Sequence, residues 1–182
     1  MTDNRTTPSP ADPAAPATRG AARSAFALAA FLAIAFAVAA LGSLATLDNV
    51  DGWYADAEKA FWTPPNAVFG PVWTVLYTLM SVAAWLVWRR PDSTDRRVAL
   101  GAYIGQLALN AIWTPLFFGL YPAAGSFALW LAFAVIVTLD VAVLVTMLRF
   151  WRVRRLAAVL LIPYWAWVLY ATTLNLVVAL EN

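Results

Sequence analysis

The chain has 182 residues, of which 63% are hydrophobic and 12% charged, with 10 Trp, no Cys and no His. Its mean hydropathy of +0.70 exceeds what a water-soluble domain can bury, since such domains are about 45–50% apolar, so the excess must face lipid. The missing Cys and His exclude disulfide and thiolate chemistry, the commonest zinc and haem ligands and the usual near-neutral general base. The net charge of +2 makes no case for nucleic acid, because the arginines sit where membrane topology accounts for them. No metal site and no required cofactor are expected.

Residues 1–23 are rich in Pro, Ala, Thr and Asp and are expected to form a disordered tail. The membrane domain, 24–182, then carries five apolar blocks at about 24–47, 66–89, 98–120, 123–148 and 155–180, each long enough to cross about 30 Å of hydrocarbon as a helix. The fold class expected is an all-α membrane protein, a bundle of five transmembrane helices. The first block is too long for the apolar core of a secretory signal, about 7–15 residues, and is read as a retained span.

Between the first two blocks runs WYADAEKAFWTPPNAVFGPVWTVLY, Trp53 to Tyr77. It is an acidic, aromatic loop that passes through two prolines into a helix carrying Trp73 and Tyr77 one turn apart. Such a rim suits a flat apolar ligand. The only lysine, Lys59, lies in this loop, which excludes a Schiff base inside the membrane. Arg19 and Arg23 precede the first helix; Arg89, Arg90, Arg96 and Arg97 join the second and third; Arg149, Arg152, Arg154 and Arg155 join the fourth and fifth. The alternate connections are nearly free of basic residues, so the positive-inside rule puts the N-terminus in the cytoplasm and the C-terminus outside, in a multi-pass protein of the cell membrane.

Helical spacing groups Trp73, Tyr77 and Ala84 on the second helix and Gln106, Asn110, Trp113 and Phe117 on the third. It groups Ser126, Trp130, Phe133, Val137 and Asp140 on the fourth, and Tyr164, Trp167, Ala171 and Asn175 on the fifth. At about 1.5 Å per residue, Trp73, Tyr77, Asn110, Trp113, Trp167 and Ala171 come out roughly 10–20 Å below the outer surface. Amides at that depth need partners, so these faces are expected to meet in a shared interior. Asp140 is the one carboxylate well inside an apolar block and is read as hydrogen-bonded to a neighbour. Gly101 and Gly105 on the third helix form a small-xxx-small pair suited to close helix approach, within the chain or between chains. Pro115 and Pro163 are expected to loosen the third and fifth helices.

Taken in order, these words resemble the TspO/MBR family, also called translocator proteins or peripheral-type benzodiazepine receptors. They are Trp53-Tyr54, Trp62-Thr63-Pro64-Pro65, Phe69-Gly70-Pro71-Val72-Trp73-Thr74-x-Leu76-Tyr77, Gln106-Leu107-x-Leu109-Asn110-x-x-Trp113, Phe117-Phe118, Pro163-Tyr164-x-x-Trp167 and Ala171-x-x-Leu174-Asn175. The resemblance covers about residues 25–182. It implies a five-helix bundle that binds porphyrins, protoporphyrin IX and haem among them, and that pairs as a homodimer through the third helix, in keeping with Gly101 and Gly105. The positions matching the family's pocket are Tyr54, Pro64, Trp73, Tyr77, Asn110, Trp113, Phe117, Trp167 and Ala171. A tryptophan-rich sensory or receptor role leads. Transport of tetrapyrroles is a second expectation. Light- and oxygen-dependent porphyrin breakdown through Trp73 and Trp167 is a third, with no catalytic residue otherwise. The chain departs from the family pattern at Ala60 after Lys59, at Asn66 after the double proline, and at 174–182, which lack the Tyr and basic residue of the animal cholesterol motif.

Overall fold

The computed structural model describes residues 15–182, with side chains from residue 20 onward, and is helical nearly throughout. The helices are α1 (Ala15–Val50), α2 (Trp53–Asp56), α3 (Asn66–Trp88), α4 (Thr94–Thr114), α5 (Tyr121–Ala124), α6 (Ser126–Val153), α7 (Arg155–Leu160) and α8 (Ile162–Glu181). A π-helical turn, Pro115–Gly119, follows α4 directly. No strand occurs among the described residues.

Four of these segments are long and apolar enough to cross a membrane: Gly20–Val50, Asn66–Trp88, Ser126–Val153 and the α7–α8 pair, Arg155–Glu181. α4 is as long as a span but less apolar, because Asp95, Arg96 and Arg97 sit in its first turn and Gln106 and Asn110 in its body. Much of the bundle's outer surface is apolar, Ile104, Leu148 and Leu180 each being more than half exposed (65%, 60% and 63%). That surface matches a lipid solvent, and the chain is a membrane protein.

Element boundaries differ from the sequence expectation in ways that have local causes. Of the expected tail, 1–23, residues 1–14 lie outside the described residues, and 15–23 belong to α1 instead. From Ala15 the chain is already helical, since the alanine-rich stretch that follows has the highest intrinsic helix propensity. The fourth span runs on to Val153, where Arg154 turns extended and stops it. The fifth is split at Leu161, because Pro163 cannot donate the N–H that would join the two pieces.

The core sits where α4 and α6 press together and where α8 closes on α6 and α3 on α1. Ala83, Ala84, Ala99, Ala132 and Ala157, all fully buried, let these backbones approach closely. The buried stripe of α6 is Ala128, Leu129, Ala132, Ile136, Leu139, Asp140 and Val143. The expected stripe on this helix is therefore corrected. Only Asp140 of that set is buried, while Trp130 is 44% and Val137 40% exposed. α6 is apolar on nearly every side, so helical periodicity carried little information; Trp130 faces outward, while Phe133 is half-buried against the core.

At one end of the bundle the connections hold Asp48, Asp51, Asp56 and Glu58, and Asn182 exchanges two hydrogen bonds of 3.1 Å with the backbone of Glu58. At the other end lie the α3–α4 and α6–α7 connections with their arginines, where Ser93 caps α4 by accepting from Arg96 N and Asp92 pairs with Arg96 at 2.8 Å. Gly125 separates α5 from α6 at φ +56° and ψ −142°, a conformation that residues with a Cβ resist. Gly125→Ala is expected to lower stability by about 1–3 kcal/mol, read as a drop in thermal midpoint in detergent, with Gly119→Ala, whose added Cβ meets nothing within 4 Å, as the mild control.

Candidate ligand-binding cleft

A cleft of about 500 Å³ opens at the acidic end, walled by α1, α3 and α8, with α2 and the π-helical turn at its rim and inner face. Its aromatic lining comes from Phe36, Tyr54, Phe69, Trp73, Tyr77, Trp113, Phe117, Phe118 and Trp167. The hydroxyls of Ser43, Thr46, Thr74 and Thr114 and the amides of Asn66 and Asn175 supply polar points, and Asp51 is the one charged side chain among the described lining residues.

Rings set the shape of the walls. Trp73 stacks on Tyr77 with centroids 5.3 Å apart and planes 30° apart. Trp113 stacks on Phe117 at 5.8 Å and 26°. Phe69 meets Trp167 edge-on at 5.8 Å. Offset stacks and edge contacts are the favoured arrangements of aromatic pairs, each worth about 0.5–1.5 kcal/mol beyond area burial, so the lining is braced by its own members.

Behind the walls, two hydrogen-bond systems hold the helices in register. The Tyr77 hydroxyl donates to Asn110 Oδ1 at 2.7 Å, Asn110 Nδ2 donates to the Tyr164 hydroxyl at 3.1 Å, and that hydroxyl donates to Gln106 Oε1 at 2.8 Å. α3, α4 and α8 are thereby tied at one level. Trp113 Nε1 donates to Asn175 Oδ1 at 3.1 Å, and Asn175 Nδ2 donates to the Leu129 carbonyl at 3.2 Å, which ties α4 and α8 to α6. Asp140 Oδ2 likewise accepts from Thr172 Oγ1 at 2.7 Å, the neighbour bond read from the sequence.

The rim follows from proline chemistry. In a continuous helix the Phe118 carbonyl would receive the N–H of residue 122, but that residue is Pro122 and has none. Trp53 Nε1 takes the vacant acceptor at 2.9 Å, and the Trp53 ring stacks on Tyr121 at 3.9 Å. This fixes α2, so that Tyr54 packs against Phe117 and Phe118 with centroids 5.9 and 5.2 Å apart. Burial raises the Tyr54 phenol above its ordinary pKa, and Tyr170 adds in the same direction, so it stays neutral. Lys59 Nζ donates to the carbonyls of Tyr54, Ala55 and Ala57 at 2.6–2.9 Å, closing the end of α2. The Tyr170 hydroxyl donates to the Trp62 carbonyl at 2.7 Å and anchors the loop to α8.

Of the residues expected to form the pocket, Tyr54, Trp73, Tyr77, Trp113, Phe117, Trp167 and Ala171 line the cleft. Two do not. Asn110 lies behind Tyr77, its amide spent on two phenols. Pro64 is half-buried in the loop, outside the lining. Sequence reasoning missed the α1 wall, where Phe36, Ala39, Gly42, Ser43, Thr46 and Val50 recur at three- and four-residue steps. The available signal was that run of small and hydroxyl-bearing residues inside an otherwise apolar span. At Gly42 an added Cβ would lie 3.4 Å from Thr114 Cγ2, so α1 approaches the end of α4 there without filling the cleft. Trp167 Nε1 is buried with no hydrogen-bond partner among the described residues.

Comparison with known proteins gives a consistent picture. The profile of the TspO/MBR family matches residues 30–180. The chain is 41% identical over 154 residues to a tryptophan-rich protein TspO of Archaeoglobus fulgidus, covering 84% of this chain and 92% of that protein. It is 41% identical over 132 residues to the human translocator protein, covering 71% of this chain and 75% of that one. It is 40% identical over 145 residues to a tryptophan-rich sensory protein of Cereibacter sphaeroides, with coverage of 80% and 84%.

Asn110→Ala leaves two buried phenols without a shared partner, and is expected to cost about 1–3 kcal/mol, seen as a lower thermal midpoint. Tyr77→Phe removes one donor only and is expected to cost less.

Proposed function

The chain belongs to the TspO/MBR family, and from that premise we propose that its cleft binds porphyrin-type ligands, protoporphyrin IX or haem, in a sensory or translocator-type role at the cell membrane. In this reading the bundle crosses the bilayer five times, α4 being carried by its neighbours, with the arginine-rich end in the cytoplasm and the cleft opening outside. A run of arginines at one end against four acids around the cleft supports that orientation.

The observation that carries the proposal is a cleft of about 500 Å³ whose walls are stacked aromatic pairs. A volume of that order suits a small-molecule site, and flat rings offer a planar macrocycle dispersion contact over its whole face. With no His or Cys in the chain, a macrocycle would be held by stacking, not by axial ligation of a central iron. Iron-free protoporphyrin is then expected to bind about as well as haem.

The charges at the cleft refine the reading. Asp51 lines it, and Lys59 is committed to the backbone of α2. A buried carboxylate there would meet no cation and would pay heavily in desolvation, so the acid groups of a bound porphyrin stay at the mouth in water. Fluorescence titration of the purified protein tests this. Protoporphyrin IX and its dimethyl ester are expected to quench the cleft tryptophans with similar affinity, and Gly42→Phe and Ala171→Thr, which add bulk to opposite walls, are expected to weaken both by roughly tenfold or more. Unchanged affinity in both variants, or loss of binding on esterification alone, would count against this site.

The outward face of α4 supports a homodimer. Gly101 and Gly105 are exposed, no atom lies within 4 Å of a Cβ added at either, and Ile104 and Ile112 flank them at 65% and 50% exposure. Small residues between large ones allow two such faces to pack closely in lipid. Since the chain lacks cysteine, Ala108→Cys on this face is expected to cross-link two protomers on mild oxidation in membranes, whereas Val141→Cys on the exposed face of α6 is not.

A further inference from the structure

A second concavity shares no lining residue with the cleft and lies toward the arginine-rich end. α6 and α7 leave between them a groove of about 120 Å³ lined by Leu144, Met147, Leu148, Trp151, Val159 and Ile162 with Ala158 at its base. Four of its apolar walls face outward: Leu148 is 60%, Trp151 51%, Val159 44% and Ile162 48% exposed. Its composition leaves it nothing to offer a polar guest.

The end of this groove is different. The Arg155 guanidinium lies over the Trp151 ring, 5.5 Å from its centroid. Among the described residues its N–H groups make no hydrogen bond, and the guanidinium fork matches a phosphate oxygen pair. Arg152 is exposed in the last turn of α6, and Arg149 and Arg154 add to the same end. Among the described residues none of these four arginines pairs with a carboxylate. The acid at this end that does form ion pairs, Asp92, is engaged with Arg96 at 2.8 Å and Arg97 at 3.9 Å. An uncompensated positive rim and an apolar furrow running from it along the bundle surface together have the two halves of one complementary molecule.

We propose that this α6–α7 groove is a binding site for an anionic phospholipid, with one acyl chain along Leu148, Leu144 and Val159 and the phosphate on Arg155 and Arg152. The choice of an anionic lipid over a zwitterionic one rests on charge. Each arginine near a membrane surface favours an anionic headgroup by roughly fivefold, and a choline beside the phosphate would face the same cations. The furrow's exposure in the hydrocarbon zone selects a lipid chain over a soluble phosphate ester, which would gain nothing from it. This site is independent of the cleft and of what the cleft binds.

The test uses the full-length protein in phosphatidylcholine nanodiscs containing a minor fraction of lipid brominated along its chains, either phosphatidylglycerol or phosphatidylcholine. Bromine quenches nearby indoles, and the signal of Trp151 is the difference between wild type and Trp151→Phe. Brominated phosphatidylglycerol is expected to quench Trp151 at severalfold lower mole fraction than brominated phosphatidylcholine. The Arg152→Gln/Arg155→Gln pair is expected to erase that difference. Val159→Phe, which fills the furrow and leaves every charge in place, is expected to reduce quenching by the anionic lipid and the number of phosphatidylglycerol molecules retained in native mass spectrometry. Raising the salt is expected to shrink the preference without any substitution, so the result does not depend on a variant folding. Equal quenching by the two lipids in wild type, a preference that survives in the double-arginine variant, or a Trp151 shielded from both lipids by a second protein copy would each overturn the proposal.

Discussion

The arrangement depends on a short chain of buried hydrogen bonds, Tyr77 to Asn110 to Tyr164 to Gln106. In lipid no water is available to satisfy a buried amide, so the Asn110 amide and the Gln106 carbonyl find partners across helices in the phenols of α3 and α8, while Gln106 Nε2 has none among the described residues. The consequence is positional. Once Tyr77 is held by its hydroxyl, its ring plane is set, and Trp73 stacks on the ring. The polar layer therefore fixes the angle of an apolar wall. The Trp113–Asn175–Leu129 bonds do the same for the inner face. Stacking sets the favoured angle within each aromatic pair, and the hydrogen bonds behind them fix where each pair stands in the bundle.

A second constraint acts at the rim, and it is covalent in origin. Pro122 deprives Phe118 of its helical donor and Pro115 opens the π-helical turn, so this segment presents Phe117 inward and a carbonyl outward. Trp53 binds that carbonyl. The loop over the cleft is thus latched by one indole to a carbonyl that Pro122 has freed. The loop reaches α8 and the chain's last residue through Tyr170 and Asn182. Among the described residues α1, the wall opposite, makes no side-chain hydrogen bond to the loop; it is held to α3 instead, its Ser24 and Phe31 carbonyls accepting from Trp85 Nε1 and Ser81 Oγ.

Much of this was legible in the sequence, and the reasons for success and failure are physical. Helical spacing found the inward faces of α3, α4 and α8 because each mixes rare polar or aromatic residues with an apolar background, so the unusual positions stand out. It failed on α6, where nearly every face is apolar and Trp130 belongs to the outer surface. Asn110 was read as lining because depth and face were right, but the sequence does not show that Tyr77 stands in front of it. Pro64 sits in a loop, where no periodicity reports direction. The α1 wall was overlooked because its signal is a lack of bulk: Ala39, Gly42 and Ser43 make space, and space is visible only once the opposing helices are in place.

The central claim is that Trp73, Trp113 and Trp167 share one cavity while Trp130 and Trp151 face the bilayer. Fluorine NMR on protein labelled with 5-fluorotryptophan, its resonances assigned by single Trp→Phe substitutions, tests that claim with one ligand addition. Protoporphyrin IX should move the three cleft resonances through its ring current and leave those of Trp130 and Trp151 in place. Movement confined to the two outward residues, with the cleft signals undisturbed, would contradict it.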